Sequence, residues 1–122
     1  MKITYKFGTI PATAIIIDLY NSSGIDRPTT DFDRISKMYV NSNLIITAWD
    51  KYKLVGISRS LTDFCYCCYL SDLAVRGEYQ GMGIGKKLIE LTKEKIGEKT
   101  MLLLLPAPRS VEYFSKIVFS KN

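Results

Sequence analysis

YLSDLAV (Tyr69 to Val75), RGEYQGMGIGKK (Arg76 to Lys87) and LIELTKEKI (Leu88 to Ile96) follow one another directly, and the rest of the chain is organised around them. They read as strand, glycine loop and helix. Leu70 to Val75 is largely apolar. Gly81, Gly83 and Gly85 then fall at every second position, where glycine tolerates positive φ and lets a ligand come close to the backbone. In the helix, Ile84, Leu88, Leu91 and Lys95 share one face, Ile89 and Ile96 widen the apolar stripe, and Lys86, Lys87, Glu90, Lys93 and Glu94 are solvated. Gly97 ends it. The first N–H groups of such a helix lack internal partners and carry partial positive charge. With Lys86 and Lys87 beside them, they make a site for a phosphate or pyrophosphate.

The spacing excludes two familiar phosphate loops. A P-loop, Gly-x-x-x-x-Gly-Lys-Ser/Thr, fails because position 80 is Gln and position 87 is Lys. A dinucleotide fingerprint, Gly-x-Gly-x-x-Gly, starts at Gly81 and Gly83 but meets Lys86. Gln80, Gly83 and Gly85 instead fit Gln/Arg-x-x-Gly-x-Gly/Ala, between a strand ending Leu73-Ala74-Val75 and a helix starting Ile84-Gly85. On these residues the sequence resembles the GNAT superfamily of acyl-CoA N-acyltransferases. The resemblance implies that the loop wraps the pyrophosphate of coenzyme A.

The remaining chain reads as one domain over residues 1–122. Ile3 to Phe7 alternates as a half-buried strand, with Ile3, Tyr5 and Phe7 on one face. Pro11 opens a helix that buries Ala12, Ile15, Ile16 and Leu19 and stops at Asn21-Ser22-Ser23-Gly24. A second helix runs from Asp31 to Tyr39, capped by Thr30 or Asp31. Leu44 to Trp49 and Leu54 to Ser58 form a hairpin about Asp50–Lys53, and a long strand spans Phe64 to Val75. Met101 to Leu105 is a strand covered on both faces. Pro106 and Pro108 end it, a short helix spans Ser110 to Lys116, and Phe119 begins a last strand. The order β-α-α-β-β-β-α-β-α is that of the superfamily. It implies an α/β fold with a mixed, largely antiparallel sheet, helices on both faces and a shortened C-terminus. It also implies that the strands ending at Val75 and running through Met101–Leu105 lie parallel and splay apart to admit the pantetheine arm.

Hydrophobic residues make up 47% of the chain and charged residues 24%, and the net charge of +5 suits an anionic ligand. No Lys/Arg run is interleaved with aromatics, so nucleic acid ranks last among partners. The absence of histidine removes Ser-His-Asp, Cys-His and His-ligated metal chemistry. Cys65, Cys67 and Cys68 read as reduced, buried core residues. Cys67 and Cys68 point to opposite faces, so no metal is expected. MKITYKF lacks a signal peptide's apolar stretch and no segment is long enough to span a membrane, which reads as cytoplasmic.

The resemblance also implies the chemistry: direct transfer of an acetyl group from acetyl-CoA to a primary amine of a small molecule or peptide, through a tetrahedral intermediate. Coenzyme A contacts would come from Leu73, Ala74, Val75, Gln80, Gly81, Met82, Gly83, Ile84, Gly85 and Lys86. The N–H of Leu73 would face the thioester oxygen. Tyr69 and Ser71, on one face of the strand with Asp72 pointing the other way, fall on the acceptor side. The proton donor to the thiolate would be Tyr113. Aligning Tyr113 to Phe119 on Phe119, however, puts Phe114 in the family's tyrosine slot and Val118 in its glycine slot, and Tyr113 lies one residue early. Glu112 stands beside it, and no general base stands out. These departures support a second reading, a CoA-binding or sensor protein that transfers nothing. The short C-terminus leaves a sheet edge that a homodimer through Phe119 would cover.

Overall fold

The computed structural model describes residues 1–105. Expectations at Glu112, Tyr113, Phe114, Val118 and Phe119, including the helix from Ser110 and the dimer contact, lie outside the described residues. The elements are β1 (Thr4–Phe7), α1 (Thr13–Ser23), α2 (Phe32–Val40), β2 (Leu44–Asp50), β3 (Lys53–Thr62), β4 (Cys67–Val75), a 3₁₀ turn (Gly77–Tyr79), α3 (Ile84–Ile96) and β5 (Met101–Leu103). Five strands form one sheet in the order β1-β2-β3-β4-β5. The first three pairings are antiparallel and β4–β5 is parallel.

Each face of the sheet carries its own core. Under α1 and α2 lie Ile16, Leu19, Tyr20, Ile35, Tyr39, Ile45, Leu54, Ile57 and Ala74. Under α3 lie Leu44, Ile46, Ala48, Val55, Cys68, Leu70, Ile84, Leu88, Ile89 and Ile96, with Leu102 and Leu104 of the β5 segment. Two covered faces explain the nearly continuous apolar run of β2. At Gly56, in the middle of β3, an added Cβ would stand 3.0 Å from Ile84 Cγ2 and 3.3 Å from both Ala48 Cβ and Leu88 Cδ1. The missing side chain lets the start of α3 settle onto the sheet.

Several boundaries and faces differ from the sequence reading. Thr13 rather than Pro11 begins α1, and its buried face is Ile16, Leu19 and Tyr20. Ile15 is 44% exposed and Ala12 is exposed. Asp31 caps α2, its carboxylate accepting from the Arg34 N–H at 3.1 Å, while Phe32 points outward. β3 runs on to Thr62, and β4 starts at Cys67, not Phe64. The cause is Asp63, whose Oδ1 accepts the N–H groups of Cys65, Tyr66 and Cys67 at 2.9, 2.7 and 3.1 Å. This folds residues 63–66 into a turn with Phe64 at φ 58°. Cys65 and Cys67 consequently stand exposed, and Cys68 alone of the three cysteines is core. β5 stops at Leu103 and Leu105 is 58% exposed.

Candidate active site

The glycine loop begins where β4 ends. The Arg76 N–H donates to Val55 O at 2.8 Å, and the buried Arg76 guanidinium reaches Leu54 O at 3.0 Å and the Asp18 carboxylate at 2.9 Å. The 3₁₀ turn follows, then Gly81 and Gly83 at φ 83° and 85°. A side chain at either would be strained, and yet nothing lies within 4 Å of the Cβ position at either residue. Gly83 is the N-cap of α3 and no side chain caps the helix. The first helical bond runs from Lys87 N–H to Gly83 O at 3.0 Å, so the N–H groups of Ile84, Gly85 and Lys86 have no partner within the helix. Lys86 and Lys87 are exposed beside them. Open space, uncapped N–H donors and two cations suit a pyrophosphate.

Gln80 is placed differently from its neighbours in the motif. Its Nε2 donates to Val75 O at 2.9 Å and to Ser23 O at 3.2 Å. It braces the loop between the end of β4 and the last turn of α1. The adjacent bond from Gly77 N–H to Ser22 Oγ, 3.0 Å, adds a second tie to α1. Met82 is 55% exposed at the loop's tip.

The β4 strand supplies the second wall. Its parallel pairing with β5 covers only Cys67↔Met101, Cys68↔Leu102 and Tyr69↔Leu103. Its antiparallel pairing with β3 continues to Val75↔Gly56. From Leu70 to Val75 the edge turned toward β5 therefore has no strand partner among the described residues. The resemblance implies that the opening for the pantetheine arm lies along this stretch, beyond the last described β4–β5 pair. Leu73 and Val75 are half-buried on the α3 side, and an added Cβ at Gly85 would be 3.9 Å from Leu73 Cδ2 and 3.7 Å from Val75 Cγ2. The start of α3 and the open stretch of β4 thus touch.

Ser71 is a bulge in β4. Arg59 pairs with Asp72 but Ser60 pairs with Leu70, leaving Ser71 as the extra residue. The bulge shifts the alternation: Leu70 joins the α3-side core and Ala74 the opposite one. Asp72 consequently lies on the same side as Ser71, whose Oγ donates to Asp72 Oδ1 at 2.9 Å. The expectation that Asp72 points away from Ser71 is corrected, since strict alternation fails at a bulge. Tyr69 is 37% exposed and pairs across the ladder with Leu61.

Asp72 is the centre of a buried polar network, its side chain 0% exposed. Arg59 Nε and Nη2 reach its two oxygens at 3.1 Å each, Arg27 Nε donates to Oδ1 at 3.0 Å, and Tyr20 Oη donates to Oδ2 at 2.5 Å. Tyr39 Oη is hydrogen-bonded to Tyr20 Oη, and the Arg59 guanidinium lies over the Tyr39 ring at 5.8 Å. Burial alone would raise the Asp72 pKa. Hydrogen bonds from Arg59 and Tyr20 and the charges of Arg59 and Arg27 outweigh it and hold the carboxyl below its ordinary value. Burial, with the nearby Tyr39 and the Asp72 charge, pushes Tyr20 far up, and burial likewise raises Tyr39. Both phenols remain protonated donors. Sequence reading did not assemble this cluster. Its signal is an Arg and an Asp each set inside a strand of otherwise small and apolar residues, LVGISRSL and YLSDLAV. Opposite charges in neighbouring buried strands call for each other.

Among the described residues no group of three His, Cys, Asp or Glu side chains could hold a metal ion, and no helix is long and apolar enough to cross a membrane.

A mixed sheet whose fourth and fifth strands run parallel beside an uncapped, glycine-led helix is the α/β arrangement that the sequence resemblance implies. A family model described as the acetyltransferase (GNAT) family matches residues 13–116, and the chain belongs to that family. Over 67% of its length it is 28% identical to the uncharacterized N-acetyltransferase ycf52 of Pyropia yezoensis, and it spans about half of that relative, 51%. Its fold is similar to that of a meticillin-resistant Staphylococcus aureus protein of unknown function described as a probable acetyltransferase. That match has a TM-score of 0.79 at 21% identity and covers 94% of this chain and 87% of the other. It is also similar to the PaiA N-acetyltransferase of Thermoplasma acidophilum in complex with coenzyme A. There the TM-score is 0.66 at 18% identity, covering 95% of this chain and 87% of the other.

Proposed function

We propose that this chain transfers an acetyl group from acetyl-CoA to a primary amine of a small molecule or peptide. One observation carries the reading: the uncapped N-terminus of α3, with open space at Gly81 and Gly83, touches the stretch of β4 that has no parallel partner among the described residues. A pyrophosphate at the first and a thioester at the second fit one extended ligand. The relative in complex with coenzyme A shares this fold.

In this reading the loop backbone from Gly81 to Gly83 and the N–H groups of Ile84, Gly85 and Lys86 hold the pyrophosphate, and the Lys86 charge adds to them. Gln80 holds the loop in place. Leu73 and Ala74 offer backbone groups to the pantetheine arm, while the Val75 carbonyl already accepts from Gln80. The N–H of Leu73 donates to the thioester oxygen as it gains negative charge. Tyr69 and Ser71 lie toward the acceptor. The amine nitrogen attacks the acetyl carbon and loses a proton to water, the carbon–sulfur bond breaks, and Tyr113 gives its proton to the thiolate and takes one back from water.

The test is thiol release from acetyl-CoA in the presence of a panel of amines, with products weighed by mass spectrometry. Acetylated amine should appear mole for mole with free CoA. Binding of CoA with no acetylated product from any amine would favour the CoA-binding reading without transfer. Tyr113→Phe should lower kcat by about 100-fold, the size typical of a general acid, with acetyl-CoA binding retained. An unchanged kcat would pass that role to water.

A further inference from the structure

Leu73 can serve the reaction only if its backbone is aimed into the opening, and the bulge beside it is a place where aim can be lost. A strand with one extra residue has two adjacent registers, and a slip of one position turns every later side chain and peptide to the other side. Among the described residues β4 has a ladder here on its β3 edge alone, since pairing with β5 ends at Tyr69 and pairing with β3 resumes at Asp72 beyond the bulge. Side-chain contacts at the bulge add to what that one ladder holds.

We propose that Arg27 and Asp72 form a clamp that locks the β4 bulge and so aims the Leu73 backbone, making both of them positioning residues for acetyl transfer. The proposal rests on the function given above. Arg27 comes from the loop joining α1 and α2. Its Nη2 donates to the carbonyl of the bulge residue Ser71 at 2.7 Å and lies 3.0 Å from Asp72 Oδ1, and its Nε donates to the same Oδ1 at 3.0 Å. Arg59, from β3, holds the Ser71 hydroxyl at 3.0 Å and both Asp72 oxygens. Loop, β3 and β4 thus meet on two consecutive β4 residues immediately before Leu73. A slip would drag the Asp72 carboxylate away from all its donors, which a buried charge opposes strongly. The planar fork of Arg27 holds the carboxylate through Nε and the carbonyl through Nη2 at fixed angles, a two-point grip that a rotating ammonium does not reproduce. The clamp also ties the α1–α2 loop to β4.

The Arg27 side chain is 27% exposed against 10% for Arg59. Removing it leaves Arg59 to neutralise Asp72 and opens no hole in either core, so the variants should fold. The experiment compares wild type, Arg27→Met and Arg27→Lys by calorimetric CoA affinity, kcat, and hydrogen exchange of peptides from β4 and α3. CoA affinity should fall far less than kcat in both variants, because the glycine loop that holds the pyrophosphate is untouched and only the pantetheine contacts at Leu73 and Ala74 are loosened. In Arg27→Met kcat should fall by about 10- to 100-fold, the cost of misplacing a reacting group by ~1 Å. Arg27→Lys should recover only part of it. Exchange should quicken across residues 70–75 and stay the same in α3. Wild-type kcat and wild-type β4 exchange in Arg27→Met would overturn the proposal, as would CoA affinity falling in step with kcat. If wild type acetylates no amine, the function fails separately. β4 exchange then decides the clamp alone, and no change in Arg27→Met would refute it.

Discussion

Tyr20 and Tyr39 share one short chain of hydrogen bonds, but they do not stand equally in it. Tyr20 donates directly to the Asp72 carboxylate, and Tyr39 reaches the carboxylate only through Tyr20. Tyr20→Phe removes a donor from a buried charge and strands the Tyr39 hydroxyl. It should cost about 1.5–3 kcal/mol, the usual worth of a hydrogen bond to a charged group. Tyr39→Phe removes only the outer member and should cost less, about 0.5–1.5 kcal/mol. Urea denaturation of the two variants checks the order, and equal losses would mean that the chain does not run to Asp72. Tyr20 also shows a limit of reading residues one by one. The helix stripe Ala12, Ile15, Ile16, Leu19 follows hydrophobicity, but the buried face of α1 is turned to include a tyrosine whose partner lies on β4. No local pattern in α1 announces a carboxylate 52 positions away.

Among the elements, α3 was the most legible. Its glycine-led start and Gly97 end are local signals, and most of its apolar stripe is buried as read, although Thr92 is buried and Lys95 exposed where the stripe had Lys95 inside. β4 was legible as a strand but not in its phase. A bulge is set by what two strands do together, so Asp72 appeared to alternate away from Ser71 when it in fact lies beside it. The turn at Asp63 hid in the same way, because one carboxylate there collects three N–H groups and cuts the strand short. The fit of α3 onto β3 gives an element-scale prediction. Gly56→Val would drive a branched side chain into Ile84, Leu88 and Ala48, and the Ala48 Cβ cannot rotate away. It should cost about 1–3 kcal/mol, as overpacking usually does. It should weaken CoA binding as well, because it lifts the start of α3 from β4. A stable variant with unchanged CoA affinity would show that the close approach at Gly56 is not required.

For the whole molecule, two cores on one sheet hold the strand, the loop and the helix in a single frame, and the Asp72 network is the charged joint between the α1–α2 layer and β4. Its ionisation is linked to stability. The folded-state pKa of Asp72 lies below the unfolded value. Its charge therefore favours the folded state above that unfolded value, about 3.9. The contribution is lost as pH falls from there through the lowered folded-state pKa. Asp72→Asn should be less stable than wild type at neutral pH and lose less on acidification. Thermal melts from pH 7 to pH 2 check this, and parallel curves would refute it. Some acid dependence should persist, since hydrogen bonds from Tyr66, Cys65 and Cys67 also lower Asp63. The proposed function requires acetyl-CoA to lie with its pyrophosphate at Gly83, and calorimetric titration of acetyl-CoA into wild type and Gly83→Val is the test. Wild type should bind saturably at one site. Gly83→Val, strained at φ 85° and placing a branched side chain in the open space before α3, should bind roughly 10- to 100-fold more weakly for each charge-assisted bond lost. Equal affinity in the two proteins, or no binding by wild type, would contradict the account.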